Sequence, residues 1–115
     1  MPLIKIECNG DLTEEKKEKI SLKASKICAE TMGKPESYVM SIIRDKFFTA
    51  IGGKITPCAF VEVKGIGGFS PEINKKLSQK ICSLLREELN ISPSAVYINF
   101  TNISPSDWGW NCSTF

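Results

Sequence analysis

The feature that most constrains this chain is an internal repeat. A short alternating apolar segment, a long amphipathic segment and a β-branched segment recur in the same order about 57 residues apart. Ile4 and Ile6 align with Val61 and Val63 at an offset of 57, and Pro35-x-x-Tyr38-Val39 aligns with Pro93-x-x-Val96-Tyr97 at an offset of 58. A strand, a crossing helix and a second strand form a βαβ-like unit. The repeat therefore predicts an α+β fold: two β-α-β pseudo-repeats, over about 2–48 and 58–101, in a single domain over 1–115. A chain of 115 residues buries about two-thirds of its unfolded surface, enough for one sizeable core.

The local signals place the elements. Pro2 to Glu7 reads as a strand whose proline stands at its first position, where no ladder N–H is lost. Asn9-Gly10 ends it, and Thr13 is an N-cap with Glu14 and Glu15 in the first helical turn. Ile20, Ala24, Ile27, Cys28 and Thr31 share one face of that helix, which Gly33 stops and Pro35 keeps from continuing. Tyr38 to Phe48 is predicted as the second strand and Ala59 to Lys64 as the third. Gly65, Gly67 and Gly68 then turn the chain. Ser70-Pro71-Glu72 starts the second helix, with Ile73, Leu77, Ile81, Leu84, Leu85 and Leu89 as its buried stripe. Asn90 closes it, and Ala95 to Thr101 is the fourth strand.

Both helices are expected to cover one face of the resulting four-stranded sheet. The other face then needs cover, because Ile4, Val61, Val63 and Ile98 are too apolar to be left wet. Self-association supplies that cover economically.

Composition narrows the chemistry. There is no histidine, which excludes a Ser-His-Asp triad, a Cys-His dyad, a histidine base and any His-ligated metal. The five cysteines (Cys8, Cys28, Cys58, Cys82, Cys112) are scattered with no CxxC pair, so neither a disulfide framework nor a zinc knuckle is expected, and no metal site is predicted. A net charge of +2, with Arg44 and Arg86 the only arginines, argues against nucleic-acid recognition. The run Glu14 to Lys19 reads as a solvated helix face with pairs such as Glu15–Lys19. Gly65-x-Gly67-Gly68 lacks the third glycine of a dinucleotide fingerprint and is read as a turn. No apolar run approaches the ~18 residues that span a bilayer, and no signal-peptide core precedes the first strand, so membrane insertion is not expected and a cytoplasmic location is.

The proton carriers left are lysines, carboxylates, thiols, tyrosines and the chain terminus. Met followed by Pro is a substrate for removal of the initiator methionine, which would leave Pro2 as a free secondary amine. An α-amine titrates near ~7.7–8.0, and burial or a nearby cation lowers that value. A neutral, rigidly held amine can take a proton from carbon and return it elsewhere. Met-Pro alone is better satisfied by a proline that only begins a strand.

Further motifs bear on that choice. Met1-Pro2-Leu3-Ile4, Gly33-Lys34-Pro35-x-x-Tyr38-Val39, Gly52-Gly53 with Pro57-Cys58-Ala59, Ile66-Gly67-Gly68, Val96-Tyr97-Ile98-Asn99-Phe100 and Trp108-Gly109-Trp110-Asn111-x-Ser113-Thr114-Phe115 follow one another in order. Together they resemble the macrophage migration inhibitory factor family of the tautomerase superfamily, over essentially the whole chain. The resemblance implies a homotrimer with its active site between subunits. It also implies keto–enol tautomerisation of aromatic α-keto acids such as phenylpyruvate and of dopachrome-type substrates, with no cofactor. Pro2 would be the catalytic base. Lys34 would hold the substrate carboxylate and help keep the Pro2 amine neutral. Ile66 would line the site, Tyr97 and Asn99 would come from the neighbouring subunit, and Trp110 and Phe115 would surround the aromatic ring. The residues permit this: Tyr97 and Asn99 are two apart on a strand and share a face, and Lys34 follows a helix stop, free to face a cleft or to be simply solvated.

The departures are specific. Cys58 is followed three residues later by Val61, so the family's Cys-x-x-Cys thiol chemistry is not predicted. Trp108 stands where a small aliphatic pocket residue is common, which should narrow or reshape the mouth of the site. Gly65 stands where a small hydroxyl residue is common. The resemblance also implies a cytokine-like role with a cell-surface receptor as partner, after secretion without a signal peptide. The family's Arg and Asp receptor motif is not reproduced, since Leu12 occupies the loop and Lys46 follows Asp45. Two alternatives stand beside the enzyme: a secreted signalling protein with a vestigial pocket, and a small ligand-binding βαβ module without chemistry.

Overall fold

A computed structural model describes residues 1–115. The chain alternates strand and helix twice: β1 (Leu3–Cys8), α1 (Glu14–Met32), β2 (Met40–Arg44), then β3 (Ala59–Gly65), α2 (Pro71–Leu89) and β4 (Val96–Asn102). A terminal hairpin adds β5 (Gly109–Trp110) and β6 (Ser113–Thr114). Within each repeat the two strands are parallel, β1 with β2 and β3 with β4. The repeats join through the antiparallel pair β1–β3, which gives the sheet order β2-β1-β3-β4. The expected α+β fold, two β-α-β repeats forming one four-stranded sheet, is the one observed.

The helix boundaries follow their cap residues. Thr13 Oγ1 accepts from the Lys16 amide at 3.1 Å, and Ser70 Oγ from the Ile73 amide at 3.1 Å, each satisfying one N–H left without a partner at a helix start. Gly33 (φ 66°) and Asn90 (φ 54°) end the helices in the left-handed conformation. The second strand is shorter than its composition suggests. Glu36–Tyr38 winds into a 3-10 turn, and Lys46 adopts φ 62°, which breaks the register after Arg44. The chain stays beside β1 through amides of Lys46 and Phe47, which donate to the carbonyls of Gly10 and Cys8, but it leaves the ladder.

The core lies between the sheet and the helices. Ile4 and Ile6 pair across β1–β3 with Val63 and Val61, and all four are fully buried against Ile20, Ala24 and Cys28 of α1 and Leu77, Ile81 and Leu85 of α2. The apolar strand positions expected on the uncovered face therefore lie under the helices. Alternation forces this: when one face of a strand packs on helices, its apolar set must turn there. Burial on α1 is also shifted, with Ser25, Ala29 and Met32 inside and Ile27 and Thr31 only half-buried. The open face instead carries three cross-strand rows. These are Met40-Leu3-Lys64-Thr101, Ile42-Lys5-Glu62-Asn99 and Arg44-Glu7-Phe60-Tyr97. Lys5 pairs with Glu62 at 2.9 Å at the centre of it.

One carboxylate links the two helices on their outer side. Glu88 of α2 receives Lys23 at 2.8 Å, Lys16 at 3.2 Å and Lys19 at 3.5 Å, all from α1. Lys19 thus turns to Glu88, and the expected Glu15–Lys19 pair is not formed. Hydrogen bonds from Lys23 and then Lys16 hold the Glu88 carboxyl at about 2, against an ordinary 4.5. A carboxyl depressed on folding adds stability above its unfolded value and loses it as pH falls through its folded one. Glu88→Gln is expected to lower Tm by a few degrees at pH 7, and the gap to the unaltered protein should close as pH falls from 4.5 towards 2 in thermal scans.

Candidate functional site

The parallel and antiparallel partners of β1 converge at its first residue. The Met40 amide donates to the Pro2 carbonyl at 3.0 Å. The pairing of Leu3 with Lys64, continued by one residue, sets Gly65 beside Pro2. Pro2 is fully buried. The α-amine of Met1, the group adjoining it, lies below its ordinary value of 8.0 because of burial and, secondly, the charge of Lys34.

Lys34 reaches this place because Gly33 ends α1 in a left-handed turn, closed by the Lys34 amide on the Ala29 carbonyl at 3.0 Å. Its Nζ donates to the carbonyl of Ile66 at 2.8 Å. Ile66 begins the loop after β3, in which Gly67 (φ 66°) and Gly68 (φ 83°) turn the chain towards α2. That loop is tied to the end of β4: the Gly67 amide donates to Asn102 Oδ1 at 2.8 Å, and the Ile103 amide to the Gly65 carbonyl at 2.8 Å. Pro2, Lys34 and Ile66 are thereby gathered at one end of the sheet.

An aromatic group stands on the β2 side. The C-terminal hairpin turns at Asn111 and Cys112, both left-handed (φ 51° and 62°), as a two-residue hairpin requires. Trp110 and Phe115 stack at 5.4 Å with 15° between their planes. Tyr38 meets both edge-on, at 5.5 Å from Trp110 and 6.3 Å from Phe115, the geometry that aromatic quadrupoles favour. Tyr38 stands in the turn just before Met40, so it anchors the hairpin beside the strand that holds Pro2. The sequence reading assigned Tyr38 no site role. Its signal was its place four residues after Lys34 in the Gly33-Lys34-Pro35-x-x-Tyr38 motif.

The other expected site residues are separated. Tyr97 and Asn99 lie exposed on β4, on the open face, with β3 between them and β1. Within one chain they do not meet Pro2. Trp108 is half-buried and its carbonyl accepts from the Phe115 amide at 3.1 Å, but the stacked pair is Trp110 with Phe115. Prominent clefts of the chain, between α1 and α2 and beside the loop after β1, are lined by neither Pro2 nor Lys34. No three Cys, Asp or Glu side chains converge in a way that could hold a metal ion. No helix is long and apolar enough to cross a membrane.

Two β-α-β repeats on one mixed sheet, with a buried proline next to the amino terminus at one end of it, define a protein of the tautomerase-like fold. A family model described as macrophage migration inhibitory factor matches residues 1–115. A macrophage migration inhibitory factor homolog of Brugia malayi is 39% identical over 93 residues, 81% of either chain. The solved macrophage migration inhibitory factor of Toxoplasma gondii superposes with a TM-score of 0.95 at 32% identity, covering 98% of this chain and 99% of that one. A macrophage migration inhibitory factor-like protein from Entamoeba histolytica gives 0.91 at 35% identity, covering 99% and 98%. The chain belongs to the macrophage migration inhibitory factor family.

Tyr38→Ala removes both edge contacts, each worth about 0.5–1.5 kcal/mol beyond area burial. Amide exchange at Phe115 is expected to quicken about tenfold or more, while the amides of α2 hold their protection. Equal protection of the hairpin in the variant would show that Tyr38 does not anchor it.

Proposed function

We propose that this protein is a keto–enol tautomerase whose base is the amine of Pro2, acting on small aromatic α-keto acids of the phenylpyruvate type and on dopachrome-type substrates. The observation that carries the reading is the fully buried Pro2 beside an amino terminus whose amine is depressed by burial and by Lys34. Removal of Met1 converts the Pro2 amide into a secondary amine in that same environment, where desolvation and the lysine charge both favour its neutral form.

The chemistry is balanced without a redox partner. The neutral amine takes a proton from the carbon next to the keto group. The C–H electron pair becomes the carbon–carbon double bond, the carbonyl π pair moves to oxygen, and the proton carried by the amine returns to that oxygen. Lys34 pairs with the substrate carboxylate and orients the acidic C–H towards Pro2. Ile66 lines the same end of the sheet, and Trp110, Phe115 and Trp108 form the wall against which the substrate ring lies.

Tyr97 and Asn99 enter this reading through a neighbouring copy. The protein acts as a homotrimer in which β4 of one subunit completes the site of the next. Three observations support self-association. The open sheet face carries Met40, Ile42, Phe60 and Tyr97 among its charges. The amides of Phe48, Thr49 and Ala50 find no backbone partner within the chain. The side chain of Phe48 is 94% exposed. Pairing with another copy would cover these apolar side chains and give the amides backbone partners.

Pro2→Gly is expected to abolish phenylpyruvate enolisation while sedimentation still reports a trimer; retained activity overturns the assignment. Intact mass should show active material lighter by one methionine. The rate should rise with pH as the amine loses its proton, with an inflection below that of a freely solvated prolyl amine. Lys34→Gln removes a positive charge, so that inflection moves upward and KM rises about tenfold.

A further inference from the structure

We infer that Gly68 is a positioning residue for Lys34: the side chain it lacks leaves the slot along which the lysine reaches the Ile66 carbonyl. The inference rests on the reading of Lys34 as the carboxylate-binding group. The Lys34 stem crosses the face of the loop after β3 before Nζ bonds to Ile66 at 2.8 Å. A Cβ built on Gly68 would stand 3.0 Å from Lys34 Cε, 3.2 Å from Met32 Cε and 3.4 Å from the Met32 carbonyl. The carbonyl belongs to the last turn of α1 and cannot retreat. Met32 is 5% exposed and its Cε packs against Gly65, so it has little room to move. The loop cannot back away either, because Asn102 and Ile103 tie it to the end of β4. The displacement therefore falls on Lys34, the one neighbour with an open end.

Gly67 provides a matched comparison. Both glycines are left-handed, at φ 66° and 83°, so alanine strains the backbone at either. A Cβ on Gly67 meets only Lys34 Nζ, at an ordinary 3.8 Å. Backbone strain is thus common to the two positions, and the obstruction of the lysine stem is confined to Gly68.

The test compares Gly68→Ala with Gly67→Ala in assembled protein lacking Met1. Gly68→Ala is expected to raise KM for phenylpyruvate about tenfold relative to Gly67→Ala, with kcat within about twofold when measured above the pH inflection, where the amine is neutral in both, because a charged contact is misplaced. Acylation of Lys34 by an N-hydroxysuccinimide ester, mapped by peptide mass spectrometry, should rise in Gly68→Ala and not in Gly67→Ala. Equal KM and equal labelling in the two variants would overturn the inference. Unchanged kinetics in Lys34→Ala would instead overturn the carboxylate-binding role, and labelling would still decide whether Gly68 keeps the lysine's path open. Should either alanine variant fail to fold, Gly68→Asn and Gly67→Asn repeat the comparison with a side chain that tolerates left-handed backbone.

Discussion

The arrangement depends on the antiparallel contact between β1 and β3. Each repeat alone is a pair of parallel strands under one helix, with its apolar residues half covered. Joining them edge to edge places Ile4 against Val63 and Ile6 against Val61 at the middle of the sheet, where both helices seal them. Four β-branched side chains without solvent contact resist any slip in register, since a one-residue shift of β1 would expose Ile4 and Ile6 and bury Lys5 in their place.

The same pairing brings together the end of the sheet where Pro2 stands. An antiparallel register brings the start of β1 to the end of β3, so Pro2 and the Gly65–Gly68 turn are neighbours although they are far apart in sequence. The end of α1 then delivers Lys34 to that turn, and the Ile66 carbonyl receives it. A lysine held by a backbone carbonyl retains further N–H donors and acts on the nearby amine through space. The price is close packing: two glycines and a methionine thioether leave the lysine a single path.

Much of this was legible in the chain. Thr13, Ser70, Gly33 and Asn90 mark helix ends because capping is local chemistry, readable from residue type and spacing. Alternation marked β1 and β3 within a residue. The second strand was overestimated because β-branched and aromatic residues from Tyr38 to Phe48 say nothing of where a ladder partner stops; the left-handed Lys46 ended it. The covered face was misassigned because period-two alternation tells which residues share a face and leaves open which face the helices take. Tyr38 went unassigned because its partners, Trp110 and Phe115, are more than seventy residues away.

By itself the sequence determined the two repeats, the helix limits, the absence of any histidine-based chemistry and the resemblance that the family match bears out. Those are properties of residue identity and short spacing. Only the tertiary structure decided that Lys34 is fixed on Ile66, that Tyr38 braces the terminal hairpin, and that Tyr97 and Asn99 stand across the sheet from Pro2. Such facts depend on how distant segments are brought together, and it is burial of a shared core, acting on the whole chain at once, that sets those distances.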